Sequence, residues 1–139
     1  TVILMKESTA DKKGIKPLAK IVAHSTNSHE PNWFTTAPIG AISKVIEKSG
    51  WKKTDIDLLE VNEAFAVVPM AVMKELSISR EILNINGGAC ALGHPVGASG
   101  ARIVATLINN LKSKNLKRGI ASLCIGGGEA TAMSLELID

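Results

Sequence analysis

Apolar residues with two different periods alternate along this chain, and no other feature narrows its fold so much. From Thr36 onward, Ile39, Ile42, Val45 and Ile46 recur at helical spacing, with Lys44, Glu47 and Lys48 on the other face and Gly50 as the stop. Pro38 falls in the first turn, where its missing N–H is no loss. Ile56 to Val61 reads as a strand. Glu63 to Leu76 reads as a helix apolar nearly all round, bent at Pro69 and buried between layers. Ser99 to Leu111 is amphipathic, with Ile103, Val104, Leu107, Ile108 and Leu111 in one stripe. Ile120 to Ile125 is continuously apolar, as a central strand should be. Thr131 to Ile138 alternates, with Met133, Leu135 and Leu137 on one side and Ser134 and Glu136 on the other, so it predicts a strand covered on one face. Leu18 to Ala23, after Pro17, is a further strand. Strands alternating with helices predict a layered α/β fold.

The remaining segments are short. Thr9 to Lys13 predicts a small helix between Ser8 as cap and Gly14 as stop. Val2-Ile3-Leu4-Met5 is a strand-like run with nothing before it, which suggests a chain that begins partway through a larger fold. Residues 26–36 hold Asn27, His29, Pro31 and Asn32 and predict a surface loop, its Trp33-Phe34 packed on something.

Composition removes several functions. Four apolar residues are too few for a signal-peptide core, and no stretch nears the roughly 18 apolar residues of a membrane span. A scattered net charge of +3 and an aromatic share of 3%, without tyrosine, offer neither a DNA-binding face nor a stacking platform. Neither nucleic acid nor membrane is expected as a partner. Cys90 and Cys124 suit a reducing, cytoplasmic compartment. With His94 they lack the paired spacing of a zinc site, so no metal is expected.

Three places combine polar or reactive side chains with strand ends. Asn62, in Val61-Asn62-Glu63-Ala64-Phe65-Ala66, stands just past a strand. Locally it is either a helix N-cap or a site residue. His94 lies in a stretch with five glycines between Gly87 and Gly100, held between Gly93 and Pro95. It is either a packed structural histidine or a general base. No Gly-Lys-Ser/Thr follows, and no clean strand precedes, so this is neither a P-loop nor a dinucleotide fingerprint. Cys124 ends a strand and opens onto Gly126-Gly127-Gly128. It is either a small buried hydrophobe or the lining of a crevice whose bare N–H groups can hold an oxyanion. His24 and His29 have no such setting and read as surface or packing residues.

Together these segments resemble the carboxyl-terminal half of a thiolase. The resemblance is carried by Asn62-Glu63-Ala64-Phe65, by Gly93-His94-Pro95 with Gly97-Ala98-Ser99-Gly100-Ala101-Arg102 behind it, and by Cys124-Ile125-Gly126-Gly127-Gly128. Gly14-Ile15-Lys16-Pro17-Leu18-Ala19-Lys20-Ile21-Val22 is similar to the strand that opens the family's second half. The matching motifs run in order through nearly the whole chain. The implied fold is the second half of an αβαβα sandwich with a mixed five-stranded sheet. Residues 1–14 would be the tail end of the thiolase N-terminal domain, and residues 15–139 the C-terminal domain.

The resemblance also implies a chemistry: Claisen condensation of acetyl-CoA to acetoacetyl-CoA, and thiolysis in reverse, through a cysteine acyl-enzyme. His94 would activate the nucleophilic thiol and later help bind the thioester oxygen. Cys124 would be the second acid/base, and Asn62 would orient a water that forms an oxyanion hole with His94. The Gly126 N–H would serve a second hole, and Ala64 and Phe65 would line the pantetheine arm. Coenzyme A enters as substrate, and no cofactor is implied. The nucleophile itself belongs to the family's first half, so an N-terminal half is the expected partner, the complete enzyme a homo-oligomer, and this chain alone inactive. Cys90 reads as packing. Ser28 to Pro38 differs from the Met-Gly-containing loop common in biosynthetic members, which bears on acyl-chain length. Two alternatives stand beside this reading: a longer-chain 3-ketoacyl-CoA thiolase, and a non-catalytic remnant or assembly module.

Overall fold

A computed structural model of the chain describes residues 1–138. Nine regular elements follow in order: α1 (Glu7–Lys13), β1 (Ala19–Ser28), α2 (Ala37–Ser49), β2 (Leu58–Val61), α3 (Val67–Leu76), α4 (Ala89–Leu92), α5 (Ser99–Lys114), β3 (Arg118–Ile125) and β4 (Glu129–Leu137). The strands form one sheet in the order β1-β4-β3-β2. β2 runs parallel to β3, with Val61 beside Ser122, and the other two pairings are antiparallel. The sheet is mixed, as expected, but the described residues give it four strands rather than five.

Each face of the sheet has its own core. On one face α2 and α3 bury Ile42, Val45, Val68 and Val72 against Leu59, Val61, Ile120 and Cys124. On the other, α5 buries Ile103, Leu107 and Leu111 against Leu58, Ala121 and Leu135. The stripe read from the sequence of α5 is therefore the one that packs, and Asn115 closes the helix in a left-handed conformation.

On the outer side of β2, Leu83 makes a single parallel bridge to Leu59 and goes no further as a strand, and Val2–Met5 joins no strand of the sheet. Beyond β2, the Asn84 side chain takes the place of a neighbouring strand: its Oδ1 accepts from Val61 N at 2.8 Å and its Nδ2 donates to Val61 O at 2.8 Å. Beyond β1, Lys48 Nζ donates to His24 O at 3.2 Å and Lys44 Nζ to Thr26 O at 3.4 Å. The run instead lies on the α5 side, where Val2 and Leu4 help line an apolar cavity of about 240 Å³ with Ile103, Leu123 and Met133.

Other boundaries move too: β2 begins at Leu58 rather than Ile56, and α5 runs on to Lys114 rather than stopping at Leu111. β1 continues through the polar residues His24 to Ser28 because β4 offers partners from Met133 to Glu129. The loop after it contains a short helical turn, Pro31–Thr36. α3 begins at Val67, not at Glu63, and Pro69 sits in its first turn rather than bending it. A proline ring clashes with the carbonyl four residues back, so the helix cannot extend upstream through Phe65.

Candidate active site

β2 and β3 end side by side, and the carboxyl edge of an open α/β sheet is where ligands bind. Asn62 follows β2, fully buried, its N–H donating to Ser122 O at 2.9 Å. It caps no helix, since α3 starts five residues later. Its side chain turns toward the start of α5, where Nδ2 stands 3.4 Å from Nδ1 and 3.5 Å from Nε2 of His94. Asn62 Oδ1 is buried and has no hydrogen-bond partner among the described residues.

His94 is held from the other side by Ser99, the first residue of α5. Ser99 Oγ lies 2.6 Å from His94 Nδ1 and donates to Pro95 O at 3.1 Å. With the hydroxyl proton on the Pro95 carbonyl, Oγ accepts from Nδ1–H, and the neutral ring keeps the lone pair of Nε2. That tautomer is the one a base needs. Ser99 went unremarked in the sequence as anything but part of a motif. A hydroxyl five residues past a histidine, at a helix start, was the available signal.

The backbone around Asn62 is fixed by a second cluster. Glu63 accepts from Asn84 Nδ2 at 2.9 Å and from Cys90 N at 3.0 Å. Burial pushes the Glu63 carboxyl up, but the hydrogen bonds from Cys90 and Asn84 and the charge of Arg80 outweigh it and leave it below its usual value. A side chain at Gly88 would collide with that carboxylate. Glu63 therefore ties the glycine-dense stretch to the end of β2. Neither Glu63 nor Asn84 was singled out in the sequence for this role.

Cys124 leaves β3 on the α2–α3 face, so it stands across the sheet edge from Asn62 and His94, and no hydrogen bond joins it to either among the described residues. Burial pushes its thiol above the usual range, against a smaller lowering by its own backbone. The shift favours the protonated thiol, the form in which this side chain is an acid. Both cysteines are free. Slight desolvation, and then the hydrogen bond and charge of the Glu63 carboxylate, push the exposed Cys90 thiol up, so it is a poor nucleophile.

The turn after Cys124 leaves Gly126 exposed with open space around its α-carbon. Gly128 adopts φ +91° and its carbonyl accepts from His29 N at 2.9 Å, which pins the Pro31–Thr36 turn against the glycines. From that turn Phe34 meets Phe65 edge to face, ring centroids 6.1 Å apart. Phe65 is otherwise exposed at the rim, while Ala64 packs on the core.

The family model "Thiolase, C-terminal domain" matches residues 15–137. The chain belongs to the thiolase family. The mouse cytosolic acetyl-CoA acetyltransferase is 49% identical over 97% of the chain and 34% of that protein. The crystal structure of the Bacillus anthracis acetyl-CoA acetyltransferase superposes with TM-score 0.93 at 48% identity, over 96% of this chain and 34% of that one. An Ascaris suum thiolase solved with coenzyme A superposes at TM-score 0.90 and 42% identity, over 96% of this chain and 34% of that one. This thiolase domain thus spans about a third of the length of the relatives it matches.

Proposed function

We infer that this chain supplies the second half of an acetyl-CoA acetyltransferase site, for which a first half brings the nucleophilic cysteine. The observation that carries the reading is the Asn62–His94–Ser99 constellation at the end of β2, beside the Cys124-Gly126 turn at the end of β3. In thiolysis, His94 Nε2 takes the proton of the first-half thiol, whose sulfur then attacks the keto carbonyl of acetoacetyl-CoA. The bond between the keto carbon and its neighbour breaks, and its electron pair leaves as the acetyl-CoA enolate. His94, now protonated, and a water oriented by Asn62 hold the enolate oxygen. The Cys124 thiol donates the proton that completes acetyl-CoA, a step suited by the burial that keeps it protonated. The resulting Cys124 thiolate deprotonates coenzyme A, whose sulfur attacks the acetyl-enzyme while the Gly126 N–H contacts the carbonyl oxygen. The bond to the first-half sulfur breaks, a second acetyl-CoA leaves, and that sulfur takes its proton back from His94. Phe65 and Ala64 stand along the pantetheine arm. The names of the relatives support acetyl transfer in the cytosol, and the Ascaris suum structure supports coenzyme A as ligand.

A first half would also cover what this chain leaves bare. Phe65, Val67, Met70, Leu92, Val96 and Ile125 are exposed around the site. Apolar surface gathered in one region marks an interface. The chain alone is expected to turn over no acetoacetyl-CoA. Mixed with the first half of a related thiolase, it is expected to release acetyl-CoA in a coenzyme A-dependent assay. Turnover by the chain alone, free of host thiolase, or silence of a mixture shown to associate, would overturn the reading.

A further inference from the structure

One group of buried polar side chains takes no part in that chemistry. Glu60 precedes Asn62 by two residues, so both side chains leave β2 on the α5 face. Glu60 is 2% exposed. Its Oε1 accepts from Asn110 Nδ2 at 3.2 Å, and Asn110 Oδ1 accepts from Asn86 Nδ2 at 2.6 Å. Its Oε2 lies 3.9 Å from Nη1 of Arg102, whose Nη1 and Nε are buried without hydrogen-bond partners among the described residues. The carboxylate is thus stretched between two stations of α5: Arg102 in the first turn and Asn110 near the last.

We propose that Glu60 and Arg102 are a positioning pair that sets the separation between Asn62 and His94. Glu60 is two residues from Asn62, and Arg102 is one helical turn from Ser99, the residue that holds His94. Pulling Arg102 toward Glu60 draws the start of α5, and with it His94, toward the end of β2. Stability does not account for the pair, because apolar residues of the same volume would serve a buried site at least as well. Among the described residues, few groups act on Glu60. They are Arg102 and Asn110 from α5 and Glu63 beyond the strand end, and Ala121 stands beside it on β3. Burial raises its carboxyl to about 7, opposed by Arg102 and Asn110 and reinforced by Glu63, so the pull is present at pH 8 and released at pH 5.5.

This role rests on the proposed site, and its test has one arm that does not. Glu60→Gln keeps the shape and the Asn110 contact but removes the charge. In the isotopically labelled chain alone, the Asn62 side-chain amide and His94 ring resonances are expected to differ between parent and variant at pH 8 and to coincide at pH 5.5. In the mixture with a thiolase first half, the variant is expected to lose about tenfold in kcat at pH 8 with KM within twofold, and little at pH 5.5. Arg102→Lys, which keeps the charge, is expected to retain most of the activity. Resonances that coincide at both pH values, or differ equally at both, would overturn the proposal. So would a kcat within twofold at pH 8. A parent mixture without turnover overturns the proposed function instead, and the spectra then decide the pair. Should Glu60→Gln not fold, Arg102→Met carries the same readouts, with the same outcomes.

Discussion

The two faces of this sheet are built to different ends. Between the sheet and α2–α3, a large apolar cluster that includes Cys124 shares the space with the uncharged hydroxyls of Ser25, Ser49 and Ser134. Between the sheet and α5, apolar contacts share the space with Glu60, Arg102, Asn110, Asn62, Ser99 and His94. Both faces bury large side chains completely. Both helices also hydrogen-bond to the sheet, as Ser25 Oγ does to Ala41 O of α2, but only the second sets a buried carboxylate against a guanidinium. The first face is a platform that holds strand ends in place. The second sets distances between them, and there the polar residues of the site are aligned.

The sharpest way to break this comparison is at the sheet edge. His94→Ala and Cys124→Ala are each expected to lower turnover of the mixed halves by about 10²–10⁴-fold, the range that a positioned acid or base supplies. Rates within tenfold of the parent would remove both role assignments. Next in size are the cores. Ile42 on the α2 side and Leu107 on the α5 side are both fully buried, so either change to alanine should cost about 2–5 kcal/mol in denaturant titration. A Leu107→Ala cost below ~1 kcal/mol would mean that α5 is not anchored by its stripe.

The smallest expected effect is on pH dependence. Burial lifts the Glu60 carboxyl from 4.5 to about 7, so the folded chain holds a proton that the unfolded chain releases. Its contribution is present below about pH 4.5 and lost as the pH rises through 7. Folding free energy is expected to fall by on the order of 2 kcal/mol between pH 5 and pH 8 through this group. Chemical denaturation of Glu60→Gln should lack that fall. A parent and variant with parallel pH profiles would place the charge elsewhere.

Much of the platform was legible in the sequence. α2 and α5 carry unbroken stripes, α2 with Gly50 as its stop, and β3 is apolar from Ile120 to Ile125 but for Ser122, because burial on a regular element imposes its period on the residues. The end of β1 was not legible. His24 to Ser28 are polar, and only the partner strand β4 makes them a strand. The start of α3 was misread because apolar content hid the effect of Pro69 on the turn before it. At the site, Asn62, His94 and Cys124 could each be read locally as packing or capping residues, and the resemblance of whole motifs singled them out. Their distances could not be read at all. Asn62 and His94 meet across 32 positions. Glu60 looked like one strand residue among others, since nothing local announces a carboxylate whose partners lie on a helix 42 and 50 positions away.

The side chains that close the sheet's edges also bear on assembly. A bare strand edge is a template for another strand, and native sheets protect it. Here Asn84 occupies the outer side of Val61, and two lysines of α2 occupy outward carbonyls of β1. Growth of the sheet by lateral strand addition is therefore blocked where these groups sit. A strand that added at these positions would first have to displace them, whereas a partner laid across the faces or the site rim, one layer on another, would not.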